Sequence, residues 1–158
     1  MKLTRILIVI SLIILLVGCS DGYIAKVNDE LITEPDFEIA LNQLKAFYPD
    51  TGEEGLRIYL IESMIIDKVL LQEANKENIR PTDSEIDEVY HKYLEKYDSE
   101  EIMLKELDKF NYTKEQLIDD IKNQVTIEKY LLKIESQNKD VSKHIEDLVD
   151  NSEIEIKE

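Results

Sequence analysis

The sequence predicts a mainly α-helical domain, closed by a small β-sheet that pairs strands from its N-terminal and C-terminal ends. Three observations carry this. All four glycines (Gly18, Gly22, Gly52, Gly55) lie in the first third, and Pro81 is the sole proline after them. A long stretch without glycine favours helices joined by short polar turns. Two capping boxes, Thr82-Asp83-Ser84-Glu85 and Thr113-Lys114-Glu115-Gln116, each open an apolar pattern at helical spacing. Finally, Glu153-Ile154-Glu155-Ile156-Lys157 alternates with a period of two, as a strand does. A lone strand needs a partner, and the other strand candidates lie near the N-terminus.

In order, Tyr23–Asn28 reads as a strand, and Asn28-Asp29 as a tight turn into Glu30-Leu31-Ile32. Thr33 is an N-cap candidate with Asp36 three residues on, and Pro35 sits in the first turn, where a missing N–H costs little. Phe37, Ala40, Leu41, Leu44 and Phe47 form the stripe of the first helix. Tyr48–Gly52 breaks it. A second helix is expected over Glu53–Asn78, with an apolar arc (Leu56, Leu60, Ile61, Met64, Ile65, Ile66, Val69, Leu70, Leu71, Ala74) wide enough to make it the central helix. Ile79-Arg80-Pro81 ends it. The third helix carries Ile86, Val89, Tyr90, Tyr93, Leu94 and Tyr97. Ser99 caps a short fourth helix with Met103, Leu104, Leu107 and Phe110. The fifth holds Leu117, Ile118, Ile121, Val125, Leu131 and Leu132, and a polar break at Gln137–Asp140 precedes a last helix with Val141, Ile145, Leu148 and Val149.

The first residues are of another kind. Lys2 and Arg5 precede an apolar run from Ile6 to Val17, then Gly18-Cys19-Ser20. This is the pattern of a secretory signal. Twelve residues of helix reach about 18 Å, short of a hydrocarbon core of about 30 Å. Leu16-Val17-Gly18-Cys19 resembles the bacterial lipobox, which implies cleavage between Gly18 and Cys19 and a diacylglyceryl group on the Cys19 thiol. The alternative is a buried structural cysteine beside an uncleaved anchor. The expected division is a signal peptide at 1–18, a lipidated tether at 19–22 and one domain at 23–158. Two acyl chains suffice for stable anchoring, at about 0.8 kcal/mol per buried methylene.

The formal charge is −16, and loss of Lys2 and Arg5 would make it −18. Such a chain repels nucleic-acid phosphates, so nucleic acid is excluded as a partner. With Cys19 the sole cysteine, no intrachain disulfide can form. No catalytic constellation is legible: there is no HExxH, no paired Cys or His at metal-ligand spacing and no phosphate-cradling glycine loop. No cofactor is expected beyond the lipid on Cys19, and no enzyme. His91 and His144 fall on the polar sides of their helices and read as solvated. Tyr90, Tyr93 and Tyr97 line one helix face, with Phe110 and Tyr112 just beyond. They either pack in the core with hydroxyls at the rim, or form a cleft for apolar segments of other proteins.

Three stretches carry a family resemblance. Ala25-Lys26-Val27-Asn28-Asp29-Glu30-Leu31-Ile32-Thr33, with Phe37 after it, is similar to the opening of the N-terminal chaperone domain of SurA and PrsA proteins, with Asp29 where the family has glycine. Leu70–Ile79 and then Pro81–Ile86 resemble that family's long helix and the capping box behind it. Tyr112-Thr113-Lys114-Glu115-Gln116-Leu117 resembles a later helix start. The resemblance implies a SurA N-terminal-like fold and a chaperone role. Family members insert or append a parvulin isomerase module, for which Lys139–Asn151 leaves room for one helix only, so the resemblance implies the chaperone body without the isomerase. The expectation is thus a lipid-anchored, extracytoplasmic, ATP-independent holdase for unfolded or newly secreted chains, on the outer face of the cell membrane of a Gram-positive bacterium. A second copy of the chain is a candidate partner too. The alternative is an accessory lipoprotein dedicated to one envelope partner.

Overall fold

The computed structural model describes residues 22–157, so the lipobox reading at Gly18 and Cys19 lies outside the described residues. The order of elements is β1 (Tyr23–Val27), β2 (Glu30–Thr33), α1 (Glu34–Phe47), α2 (Glu53–Lys76), α3 (Asp83–Leu94), α4 (Glu100–Asp108), α5 (Lys114–Ser136), α6 (Val141–Asp150) and β3 (Ile154–Ile156). Among the described residues no helix is long and apolar enough to cross a membrane.

The sheet joins the two ends of the domain, as the alternation at Glu153–Lys157 requires. β1 is central, in the order β2-β1-β3, and both pairings are antiparallel. Val27 pairs with Glu30 across the turn and with Ile154 on the other side. Period-two alternation sends Ala25, Val27 and Ile32 inward, where they pack on Ile65 and Val69 of α2. Outside, the Tyr23 hydroxyl donates to Glu155 at 2.8 Å and the Lys157 ammonium sits 3.6 Å from the Tyr23 ring centroid.

The expected caps are in place. The Thr33, Thr82, Ser99 and Thr113 hydroxyls each accept the backbone N–H three residues on, and Thr82 and Thr113 complete capping boxes with Glu85 and Gln116. The left-handed positions at the hairpin turn and at helix ends are taken by asparagine and not by glycine. Asn28, Asn78, Asn111 and Asn138 all have positive φ, from 54° to 57°. Asparagine tolerates this left-handed region better than other residues with a Cβ. At Asn78 the Ile79 N–H bonds the Ala74 carbonyl at 2.9 Å and the Asn78 N–H bonds Asn75 at 3.1 Å, the Schellman pattern with asparagine in glycine's place. This stops α2 at Lys76, two residues short of the expected end.

α2 is the central helix. It packs on α1, α5, α6 and the sheet. Phe37, Leu41 and Leu56 close the α1–α2 contact, with the Arg57 guanidinium 4.8 Å from the Phe37 ring centroid. α5 changes partners along its length. Leu117, Ile121 and Val125 pack with Met103 of α4, whereas Tyr130 and Ile134 pack with Leu70 and Ala74 of α2. The buried face rotates between the two halves. Tyr130 is therefore buried and Leu132, expected in the core, is 56% exposed. His91 is exposed, as its helix position implies. His144 differs: it is half-buried and its Nε2 lies 2.8 Å from the Tyr130 hydroxyl, because α6 folds back onto α5.

Candidate functional site

Most of the aromatic row packs against a core cluster. α3 ends at Leu94, so Tyr97 lies in the following turn, and Phe110 and Tyr112 lie between α4 and α5. Tyr90, Tyr93, Tyr97 and Tyr112 are half-buried against the cluster of Met103, Leu117, Ile121 and Val125. Phe110 is half-buried outside that cluster. The Tyr90 hydroxyl donates to Glu100 at 2.7 Å, and Glu100 is held in turn by Lys114. Burial, then the bond to Glu100, raises the Tyr90 pKa.

A groove lies between α1 and α5, with α2 as its floor. Two adjoining depressions of about 570 Å³ and 290 Å³ share Asp36, Ala40, Met64 and Asp120 as walls. Each helix contributes one stripe. α2 supplies Leu60, Met64, Asp67 and Leu71 at spacings of four, three and four. α5 supplies Gln116, Asp120, Asn123 and Ile127 at the same spacings, and α1 supplies Asp36, Ile39, Ala40 and Gln43. Residues so spaced share one helix face, so the groove follows from the packing of three amphipathic helices. Leu31, 45% exposed on β2, flanks one end. Tyr112 is the one residue of the aromatic row that also lines the groove, at the other end.

The groove is apolar below and acidic around. Asp67 lies on the floor helix, exposed to solvent, and partial desolvation of its carboxyl raises its pKa. Asp120 is raised by burial and by repulsion from Asp36 and Asp119, against the lowering effect of the Tyr112 hydroxyl that donates to it. Burial, and then that same bond, raise Tyr112. Asp36 accepts the Thr33 hydroxyl at 2.7 Å, and Asp119 pairs with Lys122 at 2.8 Å. Lys68, the cation of the lining, pairs with Glu30 at 3.4 Å. Among the described residues no cluster of three His, Cys, Asp or Glu is arranged to hold a metal. The geometry suits holding an extended or helical segment by non-directional apolar contact.

Sequence reading missed the groove. The available signal was the breadth of the α2 arc: Ile65, Val69, Leu70 and Ala74 fill the core, and Leu60, Met64 and Leu71 are left for a second face.

Comparison with known proteins agrees with the fold. The chain is 31% identical over 119 residues to the protein named Chaperone SurA of Buchnera aphidicola, which covers 73% of this chain and 26% of that one. It is 28% identical over 145 residues to the Foldase protein PrsA of Clostridium botulinum, strain Okra, covering 77% of this chain and 43% of the relative. It thus spans less than half the length of either relative. The family model described as the SurA-like N-terminal domain matches residues 1–131, which takes in the sheet hairpin, α1, α2 and most of α5, the elements that build the groove. By that match the chain belongs to the SurA-like N-terminal domain family.

Proposed function

We propose that the protein is an extracytoplasmic chaperone that holds unfolded or newly secreted polypeptides, without ATP and without isomerase chemistry, from a lipid anchor at Cys19. The observation that carries this reading is the groove between α1, α2 and α5, whose apolar floor offers surface to a non-native chain. Family membership and the names of the two relatives support it. Further support comes from Phe47, Tyr48, Ile58 and Tyr59, which stand exposed at or near the α1–α2 turn as additional apolar contact surface. Four residues join α5 to α6 directly. Anchoring near a secretion channel would raise the local concentration of the domain and let weak, broad contacts suffice.

The test is light scattering of several unrelated proteins diluted from denaturant, with the full chain carried in phosphatidylcholine nanodiscs. Empty nanodiscs and an equally acidic inert protein are the controls. Suppression near equimolar ratio, beyond both controls, is expected. No suppression, with one saturable partner found by crosslinking at the membrane, would replace this reading with that of a dedicated accessory lipoprotein.

A further inference from the structure

We propose that the groove selects polypeptide segments in which Lys or Arg side chains accompany apolar residues. This rests on the reading of the groove as the site for client chains, and names the class of client.

Charge complementarity points to this class of segment. Asp36, Asp67 and Asp120 come from α1, α2 and α5, so carboxylates edge the apolar floor from three elements. Their charge is poorly compensated. Among the described residues Asp67 has neither an ion pair nor a side-chain hydrogen bond, and Asp120 has only the neutral Tyr112 hydroxyl. The cation in the lining, Lys68, is directed to Glu30. Partial desolvation of Asp67 and Asp120 strengthens any interaction they make with an arriving charge. A Lys or Arg side chain fits both features at once. Its methylenes lie along Met64 and Leu71, and its charged head meets a carboxylate at the rim. An acidic segment of equal apolarity is repelled, so the same carboxylates discriminate against one class and for another.

The net charge of −16 also attracts cations at long range, and the experiment separates this from the groove. Three short fluorescent peptides share their apolar residues and carry Lys, Gln or Glu at the positions between. Their binding to the full chain in phosphatidylcholine nanodiscs is followed by anisotropy at several salt concentrations. The Lys peptide is expected to bind about tenfold tighter than the Gln peptide at low salt, with the Glu peptide weakest. The double variant D67N/D120N, whose new amide at position 120 can still accept from Tyr112, shrinks the Lys-over-Gln ratio to about twofold or less. E88Q/E101Q, an equal loss of charge on α3 and α4, keeps the full ratio. Equal affinities for Lys and Gln peptides would overturn the preference while leaving the groove as a client site. A ratio that falls as far in E88Q/E101Q would also overturn it, assigning the effect to net charge. Binding of none of the three peptides would overturn the groove reading itself.

Discussion

Asn28 and Glu153 are joined twice. The Asn28 N–H donates to the Glu153 carbonyl at 2.7 Å, and the Glu153 N–H donates to the Asn28 side-chain oxygen at 2.9 Å. The other end of the same amide donates to Gln72 of α2 at 2.6 Å, and Gln72 donates to the Val27 carbonyl at 3.1 Å. One turn residue thus ties β1 and the start of β3 to the central helix.

Replacing Asn28 by Ala removes two side-chain hydrogen bonds, each contributing about 1 kcal/mol, and places a methyl group at φ 54°, costing about 1 kcal/mol more. We expect a loss of about 2–4 kcal/mol in urea unfolding. N28D, which keeps the acceptor and the turn preference, should recover much of it. A cost within error of zero for N28A would show that β3 docks without this clamp.

Glu85 governs an acid-sensitive step. Its carboxylate accepts from Lys129 at 2.7 Å and from the Thr82 N–H at 2.7 Å and hydroxyl at 2.9 Å, and these bonds lower its pKa from 4.5 to about 2. Because the folded pKa is depressed, the stabilisation is present above pH 4.5 and fades as pH falls through about 2. The melting-temperature gap between wild type and E85Q should be largest above pH 4.5 and close near pH 2. A gap independent of pH would contradict the assignment.

Asp67 predicts the opposite sign. Its pKa is raised by burial above the ordinary 3.8, so its charged form opposes folding at neutral pH. D67N should melt above wild type at pH 7, and the advantage should disappear once the pH drops below 3.8. A D67N variant less stable than wild type at pH 7 would mean that this carboxylate has a structural partner.

Met103 is 1% exposed at the centre of the α3–α4–α5 cluster, which shares no buried residue with the cores around α2. M103A should cost about 2–5 kcal/mol locally. Native-state hydrogen exchange should then show α3 and α4 opening while the amides of α2 and β1 stay protected. Uniform loss of protection would show that the clusters unfold as one.

How much of this is legible in the sequence differs by element. The capping hydroxyls at Thr33, Thr82, Ser99 and Thr113 mark helix starts because their chemistry is local. The end of α2 is less legible, since asparagine is ordinary in a polar turn and reveals its left-handed role only through backbone bonds. Periodicity puts Leu132 in the core and passes over Tyr130 because it assumes one partner per helix, and α5 has two. His144 looks solvated in the sequence for a related reason: the polar side of α6 meets Tyr130 on α5. The groove is tertiary in origin. No single helix contains it, and the stripe at Leu60, Met64 and Leu71 becomes a floor only when α1 and α5 stand on either side.

The position of β1 sets an order of assembly. Its partner β2 is two residues away, but Ile154, opposite Val27, is more than a hundred residues distant. Closing so long a loop costs about 4 kcal/mol in chain entropy, whereas the capped helices form from local contacts. Pulse-labelled exchange during refolding should find the β1–β3 amide bonds protected last. A chain that emerges N-terminus first completes the sheet only once β3 is out. Until then β1 presents an unpaired edge, and the protein is for that interval a nascent chain with the same exposure as the clients it is proposed to hold.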